Sequence, residues 1–337
     1  MNPNRTLNDY EIKPSFSKIG DDQVLIVGAP FSVHQSSCSN HRPTSFSWSD
    51  GIQTSHEIFM DDMIPMGIST ERPNKDIKRY AWVCESRAIV PEIRNMFDDE
   101  VKFNQMINAY DGIFTCEKEL VEKHEKIHFC FAGSNLPWTK KENYKIYDKS
   151  KLVSFIASSK LMCSGHQFRH DLHERFKKRD DDAKSIEYQG KVWKKANESL
   201  IDVYGSILGK PFGYNPGCHL PFNAPDWHDK SEALNDYMFS VVLENDQYDD
   251  YFTEKITDCF ATGTIPVYWG TKNIGDYFNI NGIIQIDRDV ERVNSIVNSL
   301  TPSLYYDRMD AIKDNFERVQ KLQMADEMIV EKIRKLG

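Results

Sequence analysis

Residues Tyr237–Gly270 read YMFSVVLENDQYDDYFTEKITDCFATGTIPVYWG, and their order of apolar and polar residues predicts a strand, a polar loop, a helix and a second strand. Phe239–Leu243 (FSVVL) is a short continuous apolar run, the mark of a strand covered on both faces. It stops at Glu244-Asn245. Thr253 stands immediately before Glu254-Lys255 and can accept a hydrogen bond from a free amide of the first helical turn. The helix is expected over 251–261, and Thr264–Tyr268 is the next strand. Buried strands joined through a helix imply parallel pairing. The helix start also carries chemistry. Its free N–H groups and positive dipole end favour a phosphate. Lys255 in the same turn is electrostatically unfavourable unless an anion is near. Glu254 beside it can accept hydrogen bonds from ribose hydroxyls.

Outward from this segment the alternation recurs. Val24–Val27, Tyr80–Cys84, Gly112–Thr115 and residues 127–131 are the strands expected in the first half. Pro91 opens a helix reaching Phe97, and Glu117–His124 has a helical pattern. The polar stretch Thr139–Lys151 (TKKENYKIYDKSK) reads as a linker. A second series follows: strand Leu152–Ala157, helix His166–Lys178, strand Leu200–Val203, helix Ser231–Tyr237 and strand Ile283–Ile286. From Leu304 to Leu336, Met309, Ile312, Phe316, Val319, Leu322, Met328, Ile329 and Ile333 keep helical spacing. The expectation is an α/β chain of two halves. Residues 1–145 form the first, 146–303 the second, and 304–337 a closing amphipathic helix. Ligands in such sheets bind beyond the carboxyl ends of the strands, so the site is expected between the halves.

Composition narrows the class. A length of 337 residues suits two domains, and 40% hydrophobic with 28% charged residues excludes a disordered chain. Lys and Arg number 42 against 51 Asp and Glu, a net charge of −9. Such a chain is a poor nonspecific nucleic-acid binder, although a local basic patch stays compatible with it. Seven cysteines, an odd number with no CxxC pair, fit reduced thiols better than a disulfide-stapled fold. No apolar run approaches the roughly 18–20 residues that span a bilayer. The first residues, MNPNRTLNDYEIKPSF, lack a hydrophobic signal core. The expected location is the cytoplasm, that of the host if the source is viral.

The pattern F-x-x-x-x-E-N from Phe239, followed by Y-x-T-E-K-I-x-D-x-F-x-x-G-T-I-P-V-Y-W-G from Tyr251, resembles the donor-binding signature of the family-ten glycosyltransferases, the α-1,3/1,4-fucosyltransferases. It is more similar to soluble bacterial and viral members than to membrane-anchored animal ones. The resemblance implies a GT-B fold, two Rossmann-like domains facing a cleft. It also implies inverting, metal-independent transfer of a sugar from a nucleotide sugar, GDP-fucose above all, to a glycan hydroxyl. No cofactor beyond this co-substrate is implied. Residue by residue, Glu254 falls where the family binds the ribose and Lys255 where it binds the diphosphate. Glu244, Asn245 and Tyr251, with the cap Thr253, line the donor. The family reads E-N-S where this chain has Asp246, and the added carboxylate leaves the identity of the sugar open. Upstream, Ser158-Ser159 and Gly165-His166-Gln167-Phe168-Arg169 follow a strand, and Arg169 takes the place of a diphosphate-binding arginine. A planar fork of donors suits phosphate oxygens. Val203-Tyr204-Gly205 is similar to the family's short strand and turn under the nucleotide.

Inverting transfer needs a base to take the acceptor proton. The family uses a glutamate after an N-terminal strand, and Glu85 of Cys84-Glu85-Ser86 matches it. His34, His41, His56, Ser86 and Trp138 are the acceptor-side candidates. Asp61-Asp62, Asp98-Asp99 and Asp180–Asp182 read as turns or solvated charge runs, and no metal site is expected. Two alternatives stay open. One is the same fold with another nucleotide sugar, or with a hydroxylated base of phage DNA as acceptor, for which the basic run Arg175–Arg179 is the support. The other is a non-catalytic sugar-nucleotide-binding protein, marked by loss of Glu85, Glu254 or Lys255, all of which are present.

Overall fold

Central strands of a parallel sheet are covered on both faces, so their residues must divide into two apolar sets by alternation. The computed structural model describes residues 11–12, 23–28, 36–49, 52–178, 185–194, 200–208 and 230–336. The chain divides into two units, residues 1–135 with 249–251 and 323–337, and residues 136–248 with 252–322.

The first unit contains β1 (Glu11–Ile12), β2 (Gln23–Val27), β3 (Ser47–Ser49), β4 (Ile52–Gln53), β5 (His56–Met60), β6 (Lys78–Val83), β7 (Gly112–Thr115) and β8 (Ile127–Phe129). Its main sheet has the order β3-β2-β5-β6-β7-β8, and its neighbouring strands pair in parallel. β1 pairs separately with β4. The helices are α1 (Ile64–Ser69), α2 (Pro91–Met96), α3 (Glu100–Ala109) and α4 (Lys118–Val121). Leu25, Val27, Phe59, Ala81 and Val83 pack on one face against Ile64, Ile93, Met96, Met106 and Ile107 of the first three helices. Val24, Ile26, Ile58, Met60, Tyr80 and Trp82 fill the other face.

The second unit contains β9 (Lys151–Ile156), β10 (Ile186–Tyr188), β11 (Lys191–Lys194), β12 (Ile201–Tyr204), β13 (Tyr237–Leu243), β14 (Ile265–Trp269) and β15 (Ile284–Gln285). The sheet order β12-β9-β13-β14-β15 is again parallel, while β10 and β11 form an antiparallel hairpin. All seven residues of the central strand β13 are buried. Around the sheet lie α5 (Ser164–Phe176), α6 (Ser231–Leu234), α7 (Glu254–Thr262), α8 (Val290–Asn298), α9 (Pro302–Tyr306) and α10 (Met309–Lys321). The α/β class with two Rossmann-like parallel sheets, the architecture named by GT-B, is therefore present.

Two expectations are corrected. Thr139–Lys151 does not link the units: they exchange at residues 135 and 136, and Thr139 and Lys149 are buried in the second. The carbonyls of Leu234, Asn235 and Thr262 and the Thr264 hydroxyl accept from Lys149 Nζ at 2.8–3.2 Å. Burial pushes this lysine down to about 7. The tail is not one helix either. It breaks after α10, where Leu322 is extended (φ −65°, ψ 129°), and resumes as α11 (Ala325–Leu336). Asn135 fixes the break, donating to the Gln323 carbonyl (2.8 Å) and accepting from the Ala325 amide (3.0 Å). Ala325, Ile329, Val330 and Ile333 then cover the second face of the first unit's sheet. Asp326, fully buried, accepts from the Ser37 amide, the Ser37 hydroxyl and Trp48 Nε1. The C-terminal residues thus close the first unit's core. Among the described residues no helix is long and apolar enough to cross a membrane.

Candidate functional site

β13 ends by delivering Glu244 into the interior, where its side chain is fully buried. Such a carboxylate persists only with strong donors around it. Thr253 supplies two of them, its amide at 3.0 Å to Oε1 and its hydroxyl at 2.7 Å to Oε2. Thr253 is also the N-cap of α7, as expected, with extended backbone and a contact to the Lys255 amide. Gly263 closes the helix in the left-handed region (φ 70°), conformational freedom that suits glycine.

Charges of alternating sign run from this point. Lys255 Nζ donates to Thr253 Oγ1 (2.9 Å) and lies 3.5 Å from Glu244 and 3.4 Å from Glu254. Lys230 Nζ lies 3.4 Å from Glu254, 2.7 Å from Asp258 and 4.5 Å above the Trp138 ring. Asp258 Oδ1 also accepts from the Thr139 amide (2.8 Å) and hydroxyl (3.0 Å). Burial raises Glu244 and Asp258 above the usual carboxylate range, against the pull of Lys255 and Lys230 respectively. Glu254 behaves oppositely. Burial again acts to raise it, but the two ammonium groups and its hydrogen bonds together lower it to about 2. It is ionised at neutral pH. Lys255 is the more open of the two lysines, with 24% of its side chain exposed against 7% for Lys230.

α5 approaches the same strand end at a glycine. A Cβ on Gly165 would lie 2.2 Å from the Glu244 carbonyl oxygen and 2.6 Å from that of Asn245, and the Gly165 amide donates to the latter. Only a residue without a side chain permits this approach. One turn later, buried Arg169 donates through Nη2 to the Leu243 carbonyl (2.7 Å) and to Asn245 Oδ1 (2.9 Å). Arg169 and Asn245, both expected at the donor site, thus meet each other at the β13 exit. His166 packs beside them and accepts the Met162 amide on Nδ1. Burial first, then the positive charges of Arg169, Lys160 and Lys255, lower it to about 4. A neutral histidine that senses three cations marks a positive potential, as an anion site requires.

The remaining candidates fall in several places. Tyr251 is buried in the loop before Thr253. Tyr204 ends β12, its hydroxyl 2.7 Å from that of Tyr237, and Gly205 turns with φ 108° where a Cβ would strike the Ala157 carbonyl. Trp138 is occupied by Lys230. Glu85 follows β6 and is exposed, while Ser86 beside it is fully buried with no hydrogen-bond partner for its hydroxyl among the described residues. His56 starts β5, at the opposite end of the strands from Glu85, and stacks on Tyr80. His41 lies in the loop before β3. His34, Arg179 and Asp180–Asp182 lie outside the described residues. Asp99 caps α3, and Asp98 pairs with Arg94 and Lys123. Asp61 is not a solvated turn residue: it is 6% exposed and accepts the Cys84 and Glu85 amides. In the basic run, Arg175 pairs with Glu291 and Lys177 with Glu174. Sequence reading missed Lys230, Asp258 and His166 as site members. Asp258 and His166 lay inside quoted motifs, whereas nothing in the sequence near Lys230 signals its partners.

Residues 184–307 match the family described as Glycosyltransferase family 10 (fucosyltransferase) C-term. An alpha-(1,3)-fucosyltransferase of Helicobacter pylori is 38% identical over 88 residues, 26% of this chain and 18% of that protein. A GDP-fucose protein O-fucosyltransferase 3 of Xenopus laevis is 32% identical over 84 residues, 24% of this chain and 17% of that protein. The matched part of the chain thus spans less than a fifth of either relative. A crystal structure of alpha1,3-fucosyltransferase with GDP aligns over 96% of this chain and 95% of its own, at 12% identity and a TM-score of 0.48. T4 phage BGT in complex with UDP-glucose aligns over 94% and 98%, at 11% identity and a TM-score of 0.41.

Proposed function

We propose that this chain, whose residues 184–307 match the C-terminal part of the family-ten glycosyltransferases, transfers fucose from GDP-fucose to a glycan hydroxyl with inversion at the anomeric carbon. The observation that carries this reading is the start of α7. A half-open ammonium, Lys255, stands at a helix N-terminus between two carboxylates and a capping hydroxyl. A diphosphate there meets the dipole and the cation together. Glu254, held ionised by Lys255 and Lys230, accepts from ribose hydroxyls. The names of the relatives support fucose as the sugar, and one of them supports GDP as its carrier.

In this reading the acceptor oxygen attacks the anomeric carbon as the bond to the diphosphate breaks, and the electron pair leaves with GDP. Lys255 offsets the charge that develops on the leaving oxygen. Arg169 holds Asn245 and adds its positive charge to the field sensed at His166. Glu85 takes the acceptor's proton. In the described part of the basic run, Arg175 pairs with Glu291 and Lys177 with Glu174, which leaves less free charge there for a DNA acceptor. The test is turnover of GDP-fucose by Glu85→Gln. The expected result is a loss of transfer of at least about 100-fold, as for removal of a general base, with GDP affinity unchanged. Turnover within threefold of the parent chain would remove Glu85 from the mechanism.

A further inference from the structure

The carboxyl ends of neighbouring strands β2, β5 and β6 bring together Gly28, Asp61 and Glu85. Gly28 has φ +140°, and a Cβ there would come 2.7 Å from Met60 Cβ, so β2 presses directly on the residue before Asp61. Asp61 itself has φ 43°, a left-handed conformation that a non-glycine residue adopts at a cost. It keeps that conformation while 94% of its surface is covered, since only 6% is exposed. Its Oδ1 accepts the Cys84 amide at 2.8 Å and the Glu85 amide at 3.1 Å. From the other side, the Gly133 amide donates to the Cys84 carbonyl at 3.3 Å. The exposed Glu85 side chain therefore projects from a backbone fixed at the two peptides that precede it, and Ser86 next to it is fully buried.

We propose that Asp61 is the positioning residue of Glu85, a buried carboxylate that fixes the peptide carrying the base and couples electrostatically to it. The proposal rests on the reading of Glu85 as the base. The charged and titratable groups facing Asp61 are Glu85 and Cys84 after β6 and Asp62 on its own turn. Burial, and next the charge of Glu85, raise Asp61 to about 7. The proton on Asp61 is thus held against the charge of Glu85. When Glu85 takes a proton, the repulsion on Asp61 falls and Asp61 holds its own proton less tightly.

The test uses the full chain and GDP-fucose, with water as acceptor and GDP release measured across pH. Asp61→Ala should lower kcat at least tenfold with KM for GDP-fucose within twofold. Asp61→Asn keeps an acceptor oxygen and tolerates the left-handed backbone, so its optimum rate should fall within threefold of the parent chain. Its pH profile should lose the limb near 7. Amide exchange at Glu85 should quicken in Asp61→Ala but not in Asp61→Asn. A folded Asp61→Ala with unchanged kcat, or an Asp61→Asn profile that keeps its limb near 7, would overturn the proposal. If Asp61→Ala does not fold, the Asp61→Asn profile and exchange rates decide. Full hydrolysis by Glu85→Gln would remove the base reading alone, and the exchange data would still report on the Asp61 clamp.

Discussion

Replacing Lys230 by methionine removes one ammonium and keeps most of the stem. In the structure that ammonium sits 2.7 Å from Asp258 and 3.4 Å from Glu254, with 7% of the side chain exposed. Asp258 and Glu254 are themselves buried, so the variant leaves two interior carboxylates short of a cation. Breaking a buried pair in this way costs about 3–5 kcal/mol, several times a surface pair. In a unit of this size each kcal/mol lowers Tm by about 2–4 °C, so a fall of roughly 6–20 °C is expected in thermal unfolding at pH 7. The double variant Lys230→Met with Asp258→Asn should recover at least half of this, because an asparagine oxygen still accepts from Thr139. Acid sensitivity follows from Glu254. Its folded value of about 2 lies below the ordinary 4.5, so its stabilisation is present above 4.5 and is lost as pH falls toward 2. Without Lys230 the folded value of Glu254 rises, so the loss should be smaller and should end at higher pH. A penalty below about 1 kcal/mol, the size of an exposed pair, would refute the reasoning. So would a double variant no more stable than the single one.

Two further outcomes follow from the geometry. Asp61 binds its proton more tightly in the folded chain, about 7 against 3.8, so between those values the folded state keeps a proton that the unfolded state has lost. Stability contributed there should fall as pH rises from 4 to 7, by about 4 kcal/mol in order of magnitude, and level off above. Urea unfolding of the parent chain and of Asp61→Asn at pH 5 and 8 measures this, and a difference between the two that does not change with pH contradicts it. Gly165→Ala places a Cβ against two backbone oxygens that cannot swing away. It should cost about 1–3 kcal/mol and weaken GDP binding, as read by thermal unfolding and calorimetry. Unchanged values would mean that α5 yields at no cost.

The segment Tyr237–Gly270 was legible because its physics is local. FSVVL is apolar enough to specify a buried strand, Thr253 caps the helix, and Gly263 ends it. Arg169 was placed on the correct helix for the same reason. Lys230 was not legible: the sequence near it is polar, and its partners are a helix residue 28 positions away and a tryptophan 92 positions before it. Asp61 looked like half of a solvated acidic pair. Its burial comes from β6 lying beside β5, a tertiary fact that no short window contains. The tail showed the same limit. Its apolar spacing predicted an amphipathic face, but spacing does not say which sheet that face will cover, and Asn135 sets the break that sends α11 to the first unit.

The central claim is that the start of α7 binds a nucleoside diphosphate through Lys255. Calorimetric titration of GDP, with UDP and ADP as comparisons, into the parent chain and Lys255→Ala tests it most directly. A charged hydrogen bond is worth about 2 kcal/mol, so the account predicts GDP as the tightest of the three and a Kd at least about 30-fold weaker in the variant. Equal GDP affinity in the two folded chains would contradict it.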